Sequence, residues 1–192
     1  MVMELIRPGP EHLTAYCAAL AQGWSPNTTR PEAAQEQLLA IEADAHAFLA
    51  TTHDPEGLGP PVTLPDGSQV QRLPGVVRWM WSNDVEGAEA GFCGVISLRW
   101  AKDLGPLPPY VLGHIGYTVV PWQQRRGHAT RAVGLLLPLA RSFGLQEVEI
   151  TTDVDNKTSQ RVITANGGVL LGRFTKPAAF GGSEGLRFRI TL

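Results

Sequence analysis

The sequence predicts an α+β fold in which a mixed, mostly antiparallel β-sheet carries helices on both faces. Segments of strand composition and segments of helical apolar spacing follow one another in the order β-α-α-β-β-β-α-β-α-β-β. Three strands come in succession before the third helix, so the chain is not a run of βαβ units. The 192 residues, 43% of them apolar, suffice for one large core, and we expect a single domain over residues 1–192.

The N-terminal part predicts one strand and two helices. The strand is Val2–Ile6, and Pro10-Glu11 opens a helix that ends before Gly23. A second helix is expected from Pro31 to about Leu49. Its core-facing stripe consists of Ala34, Leu38, Ile41, Ala45 and Phe48.

A surface excursion and an antiparallel strand pair follow. Prolines and glycines accumulate over residues 51–75, where Pro65-Asp66-Gly67-Ser68 predicts a hairpin turn between two short strands. Residues 76–81 and 92–100 are apolar and rich in β-branched or aromatic side chains, and the polar residues 83–87 predict a turn between them.

The second half alternates strands and helices. The predicted strands are Tyr110–Val120, Glu147–Thr152, Val169–Phe174 and Leu186–Leu192, and the predicted helices begin at Ala129 and at about Thr158. Asn166-Gly167-Gly168 is a C-terminal helix stop. Pro138 lies inside the first of these helices, where it removes the bond to the carbonyl of Gly134, so we expect a kink.

Composition excludes several function classes. Sixteen Lys and Arg against 18 Asp and Glu give a formal charge of −2, which does not favour nucleic-acid binding. Cys17 and Cys93 are far apart and lack metal-ligand spacing, which suits buried thiols in a reducing compartment. The first ten residues lack a signal-peptide core and no apolar run reaches about 18 residues, so we expect a cytoplasmic protein without membrane contact.

The segment Val119–Thr130 joins an apolar strand through a basic turn to a helix. The first N–H groups of a helix have no intrahelical partner and its dipole is positive there, so an anion is stabilised at such a start. Arg125 and Arg126 add positive charge, while Gly127 and Ala129 leave room for an approaching ligand. The turn is therefore predicted to bind a diphosphate.

With its flanks, this turn resembles the acyl-CoA motif of the GNAT superfamily of N-acetyltransferases. The matching pattern is Gln124-x-x-Gly127-x-Ala129 after Val119-Val120-Pro121. About thirty residues on, Asp155–Ser159 and Asn166-Gly167-Gly168 are similar to that family's second cofactor segment. The resemblance covers residues 91–192, and the first ninety residues agree only in element order.

The resemblance implies a binding site for acetyl-CoA as acyl donor, formed mostly by backbone. Pantetheine would pair with the strand at Tyr117, Thr118 and Val119, and Asn156 would contact its arm. The diphosphate would lie on the turn formed by Gln124, Arg125, Arg126, Gly127, His128, Ala129 and Thr130.

Acetyl transfer to an amine needs a base, an oxyanion donor and an acid. For the base we favour His114, whose ordinary pKa of about 6.5 suits proton removal near neutrality, although a strand histidine satisfied within the core is equally compatible. A backbone N–H near Val119 is expected to meet the oxyanion.

The acid is less clearly indicated. The family commonly has a tyrosine seven residues after the asparagine, and here that position is Ile163. Ser159 matches a serine proposed for this role in the branch that acetylates ribosomal protein N-termini, but it also suits a helix-start serine bonded to backbone. Tyr117 is a third candidate, on the strand face opposite His114.

Other conspicuous side chains are interpreted as structural. His12, His46 and His53 have no ligand partners at metal spacing, so no metal site is predicted. Trp79, Trp81 and Trp100 are expected to pack, although they could also line an acceptor pocket.

Three functions follow in order. The first is an N-acetyltransferase that moves an acetyl group from acetyl-CoA to a primary amine by direct attack in a ternary complex. The acceptor, a small molecule or a protein amine, is not specified, and a homodimer is left open. The second is a catalytically silent CoA-binding sensor or regulatory module, favoured by Ile163. The third, a nucleotide-binding protein, lacks both common phosphate-binding glycine motifs.

Overall fold

This computed structural model describes residues 3–83 and 91–192, which contain ten strands and four α-helices. The strands are β1 (Met3–Ile6), β2 (His53–Asp54), β3 (Val62–Thr63), β4 (Gln69–Val70), β5 (Gly75–Ser82), β6 (Phe92–Arg99), β7 (Ile115–Val119), β8 (Glu147–Asp153), β9 (Val169–Thr175) and β10 (Glu184–Thr191). The helices are α1 (Leu13–Ala21), α2 (Ala33–Thr51), α3 (His128–Ser142) and α4 (Lys157–Ala165). The predicted order is confirmed, with three short strands, β2 to β4, added to it.

The strands form two main sheets. The first has the order β1-β5-β6-β7, with β2 also paired to β5, and the second has the order β8-β10-β9. All of these pairs are antiparallel. The predicted α+β class is therefore confirmed, but the sheet divides between β7 and β8. The hairpin predicted around Pro65–Ser68 is the separate β3-β4 pair.

Helices cover both faces of the first sheet. On one face α1 and α2 enclose an aromatic cluster, in which the rings of Tyr16 and Trp79 stack at 4.4 Å. On the other face α3 and α4 pack on the larger core, where Trp100 stacks on Phe143 at 4.5 Å. Trp79 and Trp100 thus pack as predicted.

Gly94 allows β6 and β7 to approach closely. Its φ is +150°, and a Cβ at this position would stand 2.3 Å from the carbonyl oxygen of Thr118 and 2.8 Å from the Cα of Val119. No side chain fits in that space. The position of β7 therefore depends on a glycine in the neighbouring strand.

Two predicted elements differ from the structure. The strand expected from Tyr110 begins at Ile115, because Pro108 and Pro109 carry no N–H and Val111 N–H closes a turn onto the Pro108 carbonyl at 2.9 Å. Helix α2 is interrupted at Asp44, whose φ is −159°. Asp44 Oδ1 accepts the N–H of Ala47 at 2.9 Å and so acts as an internal N-cap.

Three further predictions concern Pro138, the turn at residues 83–87 and the two cysteines. Helix α3 continues through Pro138 to Ser142 as one helix. The turn predicted at residues 83–87 lies outside the described residues after Asn83, as does Val2 of the first strand. Cys17 and Cys93 are both free thiols.

The three histidines interpreted as structural lie on different elements. The ring of His12 lies edge-on to Trp81 at 4.6 Å, His53 belongs to β2, and His46 is exposed on α2. Within residues 3–83 and 91–192, no group of three His, Cys, Asp or Glu is arranged to hold a metal ion.

None of the helices in the described ranges is long and apolar enough to cross a membrane.

Candidate functional site

The basic turn is a row of backbone N–H groups that point at no acceptor among the residues that the structure describes. Arg125 has φ +61° and Gly127 has φ +82°, and α3 begins at His128 directly after them. Within the described ranges, no backbone hydrogen bond uses the N–H groups of residues 125–130, and the first helical bond is from Arg131 to Gly127. Alternation of left- and right-handed residues before a helix start forms a concave anion site.

Side chains leave the front of this turn open. Arg125 and Arg126 are exposed, and a Cβ on Gly127 would meet nothing within 4 Å. A left-handed φ is uncommon for arginine and costs conformational energy, which indicates a backbone shape kept for a purpose other than stability.

The same segment contains buried polar atoms without partners. In the described part of the chain these include Trp122 Nε1, Gln123 Oε1 and His128 Nε2. Burial, followed by the nearby charge of Arg126, lowers the pKa of His128, so its ring is neutral at pH 7. The imidazole of His128 is directed into the protein, and only its backbone N–H belongs to the open turn.

Strand β7 leads into the turn with one free edge. It pairs with β6 on one side, and no strand of the described ranges pairs with its other side. Val120 N–H bonds to Cys93 O at 3.0 Å, so alternation turns the backbone groups of Tyr117 and Val119 toward the free edge. Gln124 Nε2 donates to the Val119 carbonyl at 3.3 Å, which ties the turn to the strand end.

His114 joins the two sheets where this free edge begins. Its backbone N–H donates to Glu149 O at 2.7 Å, and its Nδ1 accepts the N–H of Glu149 at 2.9 Å. The hydrogen bond assigns the proton of the neutral ring to Nε2. Burial lowers the pKa of His114, the charge of Arg99 lowers it further, and Glu149 opposes them.

On the other face of β7, Tyr117 meets the first turn of α4. Its hydroxyl lies 3.2 Å from Ser159 Oγ, and Ser159 N–H donates to Asn156 Oδ1 at 3.0 Å. Burial raises the pKa of Tyr117, although the bond to Ser159 opposes this. Asn156 uses its oxygen as the N-cap of α4. Ile163, at the position where the resembling family commonly has tyrosine, is fully buried in the core.

The structure therefore brings most of the predicted residues together, on two faces of one strand. Tyr117 packs on the α3 and α4 side, as Ser159 and Asn156 do. Thr118 lies on the α1 and α2 side, where its Oγ1 accepts Trp24 Nε1 at 3.3 Å, and His114 shares that face by alternation. The two faces meet at the free edge of Tyr117 and Val119.

Sequence reasoning missed two residues here. Asn166, interpreted as a helix stop, donates from Nδ2 to Thr130 O at 3.0 Å and to Val162 O at 2.8 Å. Arg99 lies on β6, and its N–H donates to the carbonyl of His114 at 2.9 Å. A charged side chain in the otherwise apolar segment 92–100 is the signal that could have identified it.

Comparison with protein families gives one match, and it covers most of the chain. Residues 4–169 match the family described as an acetyltransferase (GNAT) domain. No protein of curated function matches the sequence significantly.

Solved structures give the same fold at low sequence identity. The microcin C7 self-immunity acetyltransferase MccE, solved with acetyl-CoA and AMP, is 14% identical with a TM-score of 0.59, over 99% of this chain and 92% of that one. The ribosomal L7/L12 α-N-protein acetyltransferase RimL, solved with coenzyme A, is 14% identical with a TM-score of 0.62, over 100% and 95%. An acetyltransferase from Salmonella typhimurium that modifies the N-terminal serine of ribosomal protein L7/L12 is 14% identical with a TM-score of 0.61, over 100% and 96%.

Proposed function

The chain belongs to the GNAT acetyltransferase family, and from this we propose that it transfers an acetyl group from acetyl-CoA to a primary amine by direct attack in a ternary complex. The observation that carries the proposal is the continuous run from the free edge of β7 at Tyr117 to the unpaired N–H groups at residues 125–130. The free edge of β7 can pair with the amide groups of an extended ligand, and the N–H groups of the turn can bind a diphosphate.

This run fits acetyl-CoA, which supplies an activated acetyl thioester. Tyr117, Thr118 and Val119 would hold the pantetheine arm, together with the side-chain NH₂ of Asn156, which is not used in the helix cap. The N–H groups of residues 125–130 would hold the diphosphate, with Gln124 fixing the turn to the strand. The exposed Arg125 and Arg126 add attraction for the anion.

We assign His114 as the group that accepts the proton of the incoming amine. It is a titratable side chain on the α1 and α2 face beside the free edge, and its lowered pKa keeps it neutral at pH 7. Because Nδ1 already accepts the N–H of Glu149, protonation there requires that bond to be released.

We assign proton donation to the leaving sulfur to Ser159 with Tyr117 as its partner. The two hydroxyls are hydrogen-bonded on the opposite face from His114, which suits a reaction in which the amine enters on one side and the thiol leaves on the other. The backbone N–H of Val119, on the free edge, is the proposed donor to the developing oxyanion.

The acceptor class is an amine of a small molecule or of a protein. Two of the similar proteins are acetyltransferases of ribosomal protein L7/L12, one described as an α-N-protein acetyltransferase and one as modifying the N-terminal serine, which supports an amine acceptor. The direct test measures thiol release from acetyl-CoA with a panel of amines, alongside calorimetric binding of CoA. Tight CoA binding with no release on any amine would contradict catalysis, and absence of CoA binding would contradict the site itself.

A further inference from the structure

Arg99 is a cation of β6 whose guanidinium lies against Gly116 of β7, and no acidic side chain of the described residues pairs with it. It stands opposite His114 across the β6-β7 pair, on the face covered by α1 and α2. Its side chain donates one hydrogen bond, from Nη2 to Ser97 Oγ at 2.8 Å. In the described ranges no carboxylate lies within ion-pair distance of it.

Three other arginines are paired with carboxylates. Arg30 contacts Glu32 and Glu36, and Arg187 and Arg189 both contact Glu149. A guanidinium has five N–H donors in a planar fork that matches carboxylate and phosphate oxygens. In Arg99 four of those donors have no partner within the described residues.

The surroundings hold the guanidinium against β7. A Cβ on Gly116 would stand 3.1 Å from Arg99 Nη2, so the absence of a side chain at this position leaves room for it. Ser97 Oγ in turn donates to the Gly116 carbonyl at 3.3 Å. Gly116 immediately precedes Tyr117, the first residue of the strand edge assigned to the acyl donor.

Arg99 is only partly exposed, and burial lowers its pKa. Keeping a cation in such a place without a counter-charge opposes folding. The described residues around it therefore supply no structural anion, while solvent still reaches it.

We propose that Arg99 binds an oxyanion of the acceptor, so that the acceptor is an amine that also carries a carboxylate or phosphate group. The proposal rests on the acetyl transfer proposed above. Ser97 positions the guanidinium, and the anion is held on the same face as His114, which places the amine toward the edge of β7.

Matched acceptors test the proposal. The pairs are β-alanine with β-alaninamide, phosphoethanolamine with ethanolamine, and the dipeptide amides Ala-Glu-NH₂ with Ala-Gln-NH₂. The two members of each pair differ in the anionic group. The three pairs distinguish a free carboxylate, a phosphate and an acidic peptide as the group that is recognised. We expect kcat/KM to favour the anionic member of at least one pair by about tenfold or more, the size of a charge-assisted hydrogen bond.

Variants of Arg99 test whether this residue causes the preference for anionic acceptors. Arg99→Gln is expected to reduce it below about twofold, and Arg99→Lys, which keeps the charge, to restore part of it. Arg173→Gln, an exposed arginine of β9, is the control and should leave it unchanged. Equal rates for all neutral and anionic members, or a preference that survives in Arg99→Gln, would overturn the proposal. If Arg99→Gln does not fold, Arg99→Lys and Arg99→Met are used in its place.

A binding measurement separates this proposal from the proposed function. The melting temperature of the CoA complex is followed with each acceptor pair, in the wild-type protein and in the Arg99 variants. Stabilisation by anionic members that depends on Arg99 supports the anion site even if no amine is acetylated, in which case the enzymatic proposal alone fails. Equal melting temperatures for both members of every pair in the wild-type protein overturn the anion site.

Discussion

The phenolic oxygen of Tyr117 lies 3.2 Å from Ser159 Oγ, and this contact joins the free edge strand β7 to the first turn of α4. The position where the family commonly carries a tyrosine is occupied by Ile163, which is fully buried. A phenol nevertheless reaches the start of α4, because it comes from the neighbouring strand instead of from the helix.

Tyr117→Phe tests the role of this pair. Loss of the hydroxyl should lower kcat by about 10²-fold, the usual contribution of one general acid, with little effect on stability. Ser159→Ala is expected to cost a similar factor, and the double variant no more than the larger single effect, since the two hydroxyls act as one unit. Steady-state kinetics of the wild-type protein, the two single variants and the double variant completes this double-mutant cycle. Fully multiplicative losses would show that the hydroxyls act independently.

Substitutions at His114 distinguish a chemical from a structural role. His114→Ala leaves the N–H of Glu149 without its acceptor and should lower the free energy of unfolding by about 1–3 kcal/mol, the cost of an unsatisfied buried donor. His114→Asn places an amide oxygen near the position of Nδ1 and should keep most of the stability. If His114 is the base, both variants lose activity. An active His114→Asn would assign the residue to structure alone. Denaturant unfolding and thiol release are measured in parallel.

The pH profile follows from the lowered pKa of His114. Its folded pKa lies below the ordinary value of 6.5, so the acid limb of kcat/KM should have its midpoint below 6.5 and should disappear in His114→Asn. The same shift sets a stability trend. As pH falls below 6.5 the unfolded chain takes up the proton first, so this residue's contribution to stability is complete above 6.5 and declines below it. A midpoint above 6.5 would contradict the assignment.

Gly127→Glu should abolish binding of acetyl-CoA, because a bulky, negatively charged side chain would project into the proposed diphosphate site. The control is Gly67→Glu, in the β3-β4 hairpin. Both glycines have φ +82° and neither would bring a Cβ within 4 Å of another atom, so the conformational cost is matched. Calorimetric titration with acetyl-CoA should show no binding for the first variant and wild-type affinity for the second. Retained affinity in Gly127→Glu would place the diphosphate elsewhere.

Gly94→Ala should destabilise the protein by about 2 kcal/mol or more, since its Cβ would stand 2.3 Å from the carbonyl oxygen of Thr118. The strain falls on β7, so acetyl-CoA affinity should fall together with stability. Gly172→Ala is a suitable comparison, because its φ is also +150° and it has open space around the added carbon. Thermal unfolding of both variants measures the difference, and equal losses would mean that φ strain dominates over the close approach.

The sequence was sufficient for the order of the elements and for the turn at residues 125–130, since both depend on local signals. Apolar periodicity marks each strand and helix, and glycine beside basic residues marks the turn. The break at Asp44 was missed because the apolar stripe continues across it, although Asp is a good N-cap residue.

Long-range pairings were beyond sequence reasoning. The bond between His114 Nδ1 and the N–H of Glu149 spans 35 residues, and the contact of Tyr117 with Ser159 spans 42. Neither contact can be recognised from the local spacing of residues in the sequence. Arg99 is marked in the sequence as a charge within an apolar strand, but that no described carboxylate pairs with it depends on contacts between distant parts of the chain.

The side chain of Asn166 bonds to Thr130 O in α3 and to Val162 O in α4, and it thereby couples the two helices that begin at the site. One helix starts at the turn proposed to bind the diphosphate, and the other starts at Asn156 and Ser159. The distance between the two helix starts is consequently set in the free protein, before any ligand binds. An acyl donor whose arm between the phosphates and the thioester is shorter by one amide unit would therefore reach the proposed diphosphate turn or the start of α4, but not both.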